Sequence, residues 1–201
     1  MSGDSPGHDD GSLDEAEFVR RIAAQDEAAF RSVIETHAPL MHRIAYRMMG
    51  DAHEAEDITQ EAMLRLWDHA PRLIEKGRAG GLKLTPWLKR VTVNLAIDRL
   101  RVSKRVTDEE HAPEQVDADP LADAAIEAHE EGAAARALIA ALPERQRAAI
   151  VLTYYEELPN AEAADALDMN IKAFESLLFR ARAALRKAFE AAQAQEQGGA
   201  A

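Results

Sequence analysis

Cysteine is absent from this chain of 201 residues, which excludes a disulfide framework, a thiolate zinc site and a cysteine nucleophile, and fits a reducing compartment. Long apolar runs are missing too. No stretch approaches the roughly 20 residues that span a bilayer, and the N-terminal MSGDSPGHDDGS has neither the basic nor the apolar region of a signal peptide. A soluble, cytoplasmic protein without membrane insertion is expected. Aromatics make up only 5% of the chain, and no segment alternates β-branched and polar residues as strands do. Ala, Leu, Glu and Arg dominate, so an all-α fold is expected. There is no GxxxxGKS/T phosphate loop, no GxGxxG after a strand and no GxSxG elbow. The histidines (His8, His37, His42, His53, His69, His111 and His129) are dispersed, and His53-Glu54 lacks the second histidine of HExxH. No enzyme activity, metal, cofactor or small-molecule substrate is expected.

Positive charge is scarce in total, with a formal net charge of -12, yet it is concentrated. Residues 72–105 and 172–187 carry most of the basic surface, whereas the N-terminus and residues 108–131 are acidic. Phosphate contact requires clustered cations rather than a positive average, so two basic surfaces separated by an acidic tether suit a nucleic-acid binder. With 47% apolar residues the chain has material for two small helical cores.

The periodicity predicts the elements in order. Residues 1–11 read as a disordered tail. Ser12 and Glu15 have capping-box spacing, and Leu13, Phe18, Ile22 and then Phe30, Val33, Ile34 predict two helices broken near Ala24-Gln25-Asp26. Pro39 stands near the start of a further apolar run ending at Gly50, a natural cap. An acidic amphipathic helix carrying Ile58, Ala62, Met63 and Leu66 is predicted to end at Trp67, followed by a Gly-rich basic loop at 70–84. Thr85-Pro86 then reads as N-cap and first turn of a basic helix with Trp87, Leu88, Val91, Leu95, Ile97 and Leu100 on its apolar stripe. Residues 106–132 hold ten acidic side chains and no Lys or Arg, a linker with helix from Leu121 onward. Residues 133–190 return to helical pattern: one helix opening at Pro143, a short one at 160–167, a turn at Asp168-Met169-Asn170 and a long final helix from Ile171. That is a helix-turn-helix outline, and 191–201 read as a disordered tail.

AEDITQEAMLRLW followed by TPWLKRVTVNLAIDRLR resembles the second conserved region of bacterial sigma-70 family factors, in the small two-domain extracytoplasmic-function group. LPERQRAAIVLTYYEELPNAEAADALDMNIKAFESLLFRARAALR resembles the fourth region of the same group. The resemblance implies two small helical domains, 12–105 and 133–190, joined by the linker 106–132. It implies docking of Asp57, Gln60, Glu61 and Leu64 on the β and β′ subunits of core RNA polymerase. The minus-ten promoter element would be opened and held by Trp87, Lys89, Arg90, Asn94, Arg99 and Arg101, with a flipped base captured near the 70–84 loop. That loop has Leu82, Lys83 and Leu84 where family members carry an aromatic. Minus-thirty-five DNA would meet Lys172, Ala173, Glu175, Ser176, Arg180 and Arg182. An anti-sigma partner is implied as well.

Each assignment has a plainer competitor. The basic helix reads either as a solvated face or as phosphate-neutralising surface, and Trp87 as core or as a stacking platform. Asn94 has a backbone-satisfying alternative. The acidic helix is either simple surface or a docking face, and the linker either a tether or a segment entering the polymerase cleft. Glu175 and Leu177 replace the Lys and Arg of many family members; Glu175 therefore either accepts from a cytosine amino group or points away from DNA. Two other functions compete: a sigma-like decoy that sequesters an anti-sigma factor, and a stand-alone helix-turn-helix regulator.

Overall fold

The computed structural model describes residues 10–77, 83–109 and 134–198. Its elements are α1 (Asp10–Ala23), α2 (Glu27–Met49), α3 (Ala52–Gly77), α4 (Leu84–Glu109), α5 (134–140), α6 (Glu144–Ile150), a π turn (Val151–Tyr155), α7 (Asn160–Ala166) and α8 (Ile171–Gly198). The described residues thus form an all-α structure. Residues 1–9 and 199–201, the Gly-rich 78–82 and the linker beyond residue 109 lie outside the described residues, including the helix expected from Leu121 and the base-capturing part of the 70–84 loop.

Local chemistry explains most boundaries. Gln25 adopts a left-handed φ of 63° and breaks the chain. Asp26 then caps α2, accepting from the backbone N–H groups of Ala28 and Ala29 at 3.0 and 3.1 Å, while Arg21 donates to its other oxygen at 2.9 Å. These contacts, led by the Ala29 N–H, hold the Asp26 carboxyl below its ordinary range. Gly50, at φ 74°, closes α2 with its N–H on the Tyr46 carbonyl.

Four boundaries differ from the expectation. Pro39 lies inside α2, because Val33, Met41, Ile44, Ala45 and Met48 form one buried stripe across it that outweighs the missing hydrogen bond. In the same way α3 continues ten residues beyond Trp67, through Pro71, as Ala70, Leu73 and Ile74 extend its apolar stripe. The final helix runs to Gly198 through the expected tail. Lastly, Ser12 lies inside α1, and Glu15 forms no local capping box. Its carboxylate reaches across to α4, accepting from the Leu84 N–H at 3.0 Å and the Thr85 hydroxyl at 2.8 Å. Thr85 is therefore a helical residue that donates, and Glu15 does the capping from another element.

Helices α1–α4 bury Val19, Ile22, Met41, Ile44, Met48, Ile58, Leu66, Leu84 and Leu88 almost completely. At roughly 1.5–3 kcal/mol for each such side chain, this stripe-to-stripe burial is the main force holding the first group. The second group closes around Phe174, Leu178 and Ala181 of α8, packed with Leu152, Ala163 and Leu167. Buried residues of both groups belong to one contiguous apolar cluster.

The turn between α7 and α8 is built as a helix-turn-helix requires. Asp168 takes a left-handed φ of 53°, a conformation that Asp tolerates better than most residues. The Met169 N–H bonds the Ala164 carbonyl at 3.0 Å, and the Asn170 side chain caps α8 by accepting from the Ala173 N–H at 2.9 Å.

Replacing Glu15 by Ala should uncap α4 and cost about 1 kcal/mol, seen as a lower urea midpoint with the helical content unchanged. His37, whose pKa is lowered by burial despite the nearby Glu15 charge, gives a pH dependence. Its contribution to stability is fully present above the ordinary imidazole range and is lost as pH falls through its lowered folded value. A His37→Asn variant should flatten the melting temperature over that window, whereas wild type declines.

Candidate nucleic-acid interface

Helix α4 sorts its polar residues by face. Trp87, Arg90, Asn94 and Arg101 recur at spacings of three, four and seven and share one side, the side that meets α6 and α7. Arg90 pairs with Asp168 of the turn at 3.0 Å, and Arg101 pairs with Glu144 at the start of α6 at 3.0 Å. Burial works against the charge of Glu144, yet the Arg101 hydrogen bond, a backbone hydrogen bond and the charges of Arg101 and Lys104 outweigh it, so its pKa is lowered. Lys83, Pro86, Trp87 and Arg90 line a cleft of about 580 Å³ whose other wall includes Glu162, Asp165, Asp168 and Met169. Trp87 is half-buried, with its ring 6.4 Å from that of His69. It stands at the rim of the core while facing the cleft.

The other two cations expected to act with this row lie elsewhere. Lys89 and Arg99 fall on different sides of α4, and Arg99 reaches Glu54 at 2.7 Å and Asp57 at 4.0 Å on α3. Spacing along one helix brings four of the six residues together; Arg99 instead bridges toward the acidic helix. On α3, Asp57, Gln60, Glu61 and Leu64 do share a face. Leu64 is 56% exposed, Glu61 is tied to Arg65 at 2.9 Å, and Asp57 and Gln60 are open. Leu66 is core, and Trp67 packs on Phe30 with ring centres 4.9 Å apart.

In α8 the burial of Phe174, Leu177 and Leu178 turns Lys172, Glu175 and Ser176 outward on one face. Ala173 is half-buried at the cap. Arg180 folds back on the Ser176 carbonyl at 3.3 Å, and Arg182 donates to the Tyr154 hydroxyl at 2.5 Å while lying over that ring. Glu175 is exposed and forms no ion pair among the described residues, although Lys172 precedes it by three residues. Sequence reading missed Phe179, which is 72% exposed on this same face. Its aromatic character at position i+4 from Glu175 was the available signal.

Sequence reading also missed the junction between the two helix groups. Glu156, just after the π turn, has only 2% of its side chain exposed, and it receives Arg47 at 2.6 Å and Arg43 at 3.0 Å from α2. Arg47 also lies over the Tyr155 ring. Arg147 is buried between the groups, donating to the Met48 carbonyl of α2 at 2.6 Å and to the Ala140 carbonyl; burial lowers its pKa, although it remains a cation.

Comparison with known proteins follows this geometry. Sigma-70 region 2 matches residues 33–106 and Sigma-70, region 4 matches residues 133–185. The chain is 31% identical over 179 residues to the ECF RNA polymerase sigma factor SigW of Bacillus subtilis (strain 168), covering 84% of this chain and 93% of SigW. A solved structure of CnrH in complex with the cytosolic domain of CnrY superposes with a TM-score of 0.62 at 20% identity, over 89% of this chain and 98% of CnrH. The sigma factor RpoE of Bartonella quintana, solved in complex with the anti-sigma factor NepR, superposes with a TM-score of 0.61 at 20% identity, over 80% of this chain and 96% of that one. Both structural likenesses concern the fold.

The junction makes a direct prediction. An Arg43→Ala, Arg47→Ala double variant leaves the Glu156 carboxylate buried without a countercharge and should cost about 3 kcal/mol, read as a drop in urea midpoint. Glu156→Gln keeps a hydrogen-bonding side chain in place and should cost clearly less.

Proposed function

The chain belongs to the sigma-70 family, in its extracytoplasmic-function group, and from that premise we propose how its surfaces divide the work of promoter recognition. The face of α3 formed by Asp57, Gln60, Glu61 and Leu64 binds core RNA polymerase at its β and β′ subunits: an exposed leucine among carboxylates offers an apolar anchor with a polar rim. The α4 row of Trp87, Arg90, Asn94 and Arg101 takes the melted minus-ten strand. Guanidinium groups there neutralise phosphates, and an aromatic at the cleft edge offers a stacking surface for an unpaired base. Lys89 and Arg99 act on the flanks, Arg99 being first released from Glu54. The outward face of α8, Lys172, Glu175 and Ser176, reads duplex minus-thirty-five DNA, while Arg180 and Arg182 serve the phosphates. Residues 12–105 and 133–190 are thus the two working domains, and the protein is a binding module of the cytoplasm rather than an enzyme.

The observation that carries this reading is the single row on α4, since four residues of the expected strand-binding set, an aromatic, an amide and two cations, share one face of the helix. A regulator of the kind bound by RpoE, an anti-sigma factor, would control access to these surfaces. The decoy reading loses ground, because a decoy needs no such row. The stand-alone regulator does as well, because α4 would then be idle.

Purified chain mixed with core polymerase should produce transcripts from a discrete subset of genomic promoter fragments. Trp87→Ala combined with Arg90→Ala should reduce them at least about tenfold while polymerase binding persists, as expected when strand contacts of 1–3 kcal/mol each are lost. Equal transcription from the double variant would overturn the assignment of α4. A carboxylate aimed at a base edge accepts from the cytosine amino group, whereas an amide pairs with adenine. Glu175→Gln should therefore shift one position of the selected minus-thirty-five sequence from cytosine toward adenine, read by sequencing duplexes captured by the holoenzyme from a randomised pool.

A further inference from the structure

Trp87 has a ring neighbour on α3, the half-buried His69. The two rings lie 6.4 Å apart at an angle of 41°, side by side rather than stacked face to face. Among the described residues His69 makes one hydrogen bond, between Nδ1 and the Arg65 carbonyl at 2.9 Å. A carbonyl oxygen only accepts, so Nδ1 carries the proton, and in the neutral ring Nε2 is left with a lone pair. An acceptor thus stands beside Trp87. The polar side chains lining the α4 side of the cleft, Lys83, Trp87 and Arg90, can only donate. Such donors suit phosphates and the oxo groups of bases, whereas an amino group finds no partner among them.

We infer that His69 sets base specificity in the melted-strand site: its Nε2 accepts a hydrogen bond from the exocyclic amino group of an unpaired adenine or cytosine stacked on Trp87. The inference rests on the proposed binding of the minus-ten strand by α4. All four bases offer a ring face to an aromatic, so Trp87 by itself supplies stacking without selection. The bases differ at their edges. Adenine and cytosine carry an amino donor where guanine and thymine carry an oxo acceptor, and an oxo group set against the Nε2 lone pair leaves two acceptors with no hydrogen between them. The bond to Arg65 matters for this reason: by keeping the proton on Nδ1, the α3 backbone fixes the tautomer in which Nε2 accepts. Leu66 and Ala70, on either side of His69 in α3, are fully buried, so the ring is carried by a packed part of the helix.

The test uses holoenzyme on a pre-melted form of a promoter fragment that it transcribes. One position at a time, each adenine or cytosine of the minus-ten strand is replaced by purine or 2-pyrimidinone deoxyriboside, which stack alike but lack the amino group. At one position the replacement should weaken binding by the wild-type chain about tenfold, the loss expected when a half-buried acceptor is left without its donor. His69→Phe keeps a ring against Trp87 and removes the acceptor, so it should bind both fragments equally. Wild-type affinity indifferent to the amino group at every position overturns the inference, as does a preference that His69→Phe retains; a merely packing role for His69 gives that second result. A further measurement needs neither the variant nor polymerase. In the full chain, the NMR signal of the His69 Nε2 nitrogen should move on adding a short single-stranded oligonucleotide that contains adenine, and stay in place with its purine deoxyriboside counterpart. If polymerase does not bind, the sigma reading fails, and this signal alone decides whether His69 accepts from a base; an equal response, or none, overturns the inference.

Discussion

A carboxylate with 2% of its side chain exposed has to be met by countercharge, and Glu156 obtains it from two arginines one turn apart on α2. This requirement fixes the relation of the two helix groups more firmly than any rim contact. The π turn before Glu156 displaces the chain from the line of α6 and presents Tyr154, Tyr155 and Glu156 in succession; such insertions often accompany functional positions. Tyr155 receives Arg47, and Tyr154 receives Arg182 of α8. The turn, which continues α6, therefore connects α2 and α8.

Helix α4 carries three environments at once. Its apolar stripe, Leu84, Leu88, Val93, Ala96 and Ile97, belongs to the core. Arg99 leans toward the carboxylates of α3, and the row from Trp87 to Arg101 faces the second group. Arg99 thus has its partners on α3 and Arg90 its partner in the turn before α8. The Glu15 carboxylate anchors the start of this helix to α1, so its first turn, with Trp87, is positioned from outside the segment itself.

The net charge of -12 also acquires a spatial meaning. An acidic chain repels nucleic acid at long range, and two of its carboxylates, Glu144 and Asp168, pair with the α4 cations Arg101 and Arg90.

Much of the fold was legible in the sequence because it is decided locally. The break at Gln25-Asp26, the Gly50 cap, the left-handed Asp168 and the helix-turn-helix all follow from φ/ψ preference, capping chemistry and 3.6-residue periodicity within one or two turns. The same periodicity identified the acidic face of α3 and the basic α4. Where local signals compete with burial, the sequence alone misjudged the result: Pro39 and Pro71 signal helix ends, yet the apolar stripes running across them outweigh one lost hydrogen bond each. What only the tertiary structure decided are the interactions between distant positions: Glu15 on Leu84, Arg101 on Glu144, and Glu156 on Arg43 and Arg47. A charged side chain has no preferred partner in the linear chain, since attraction depends on distance and dielectric in three dimensions, and those are set only when the two helix groups pack together.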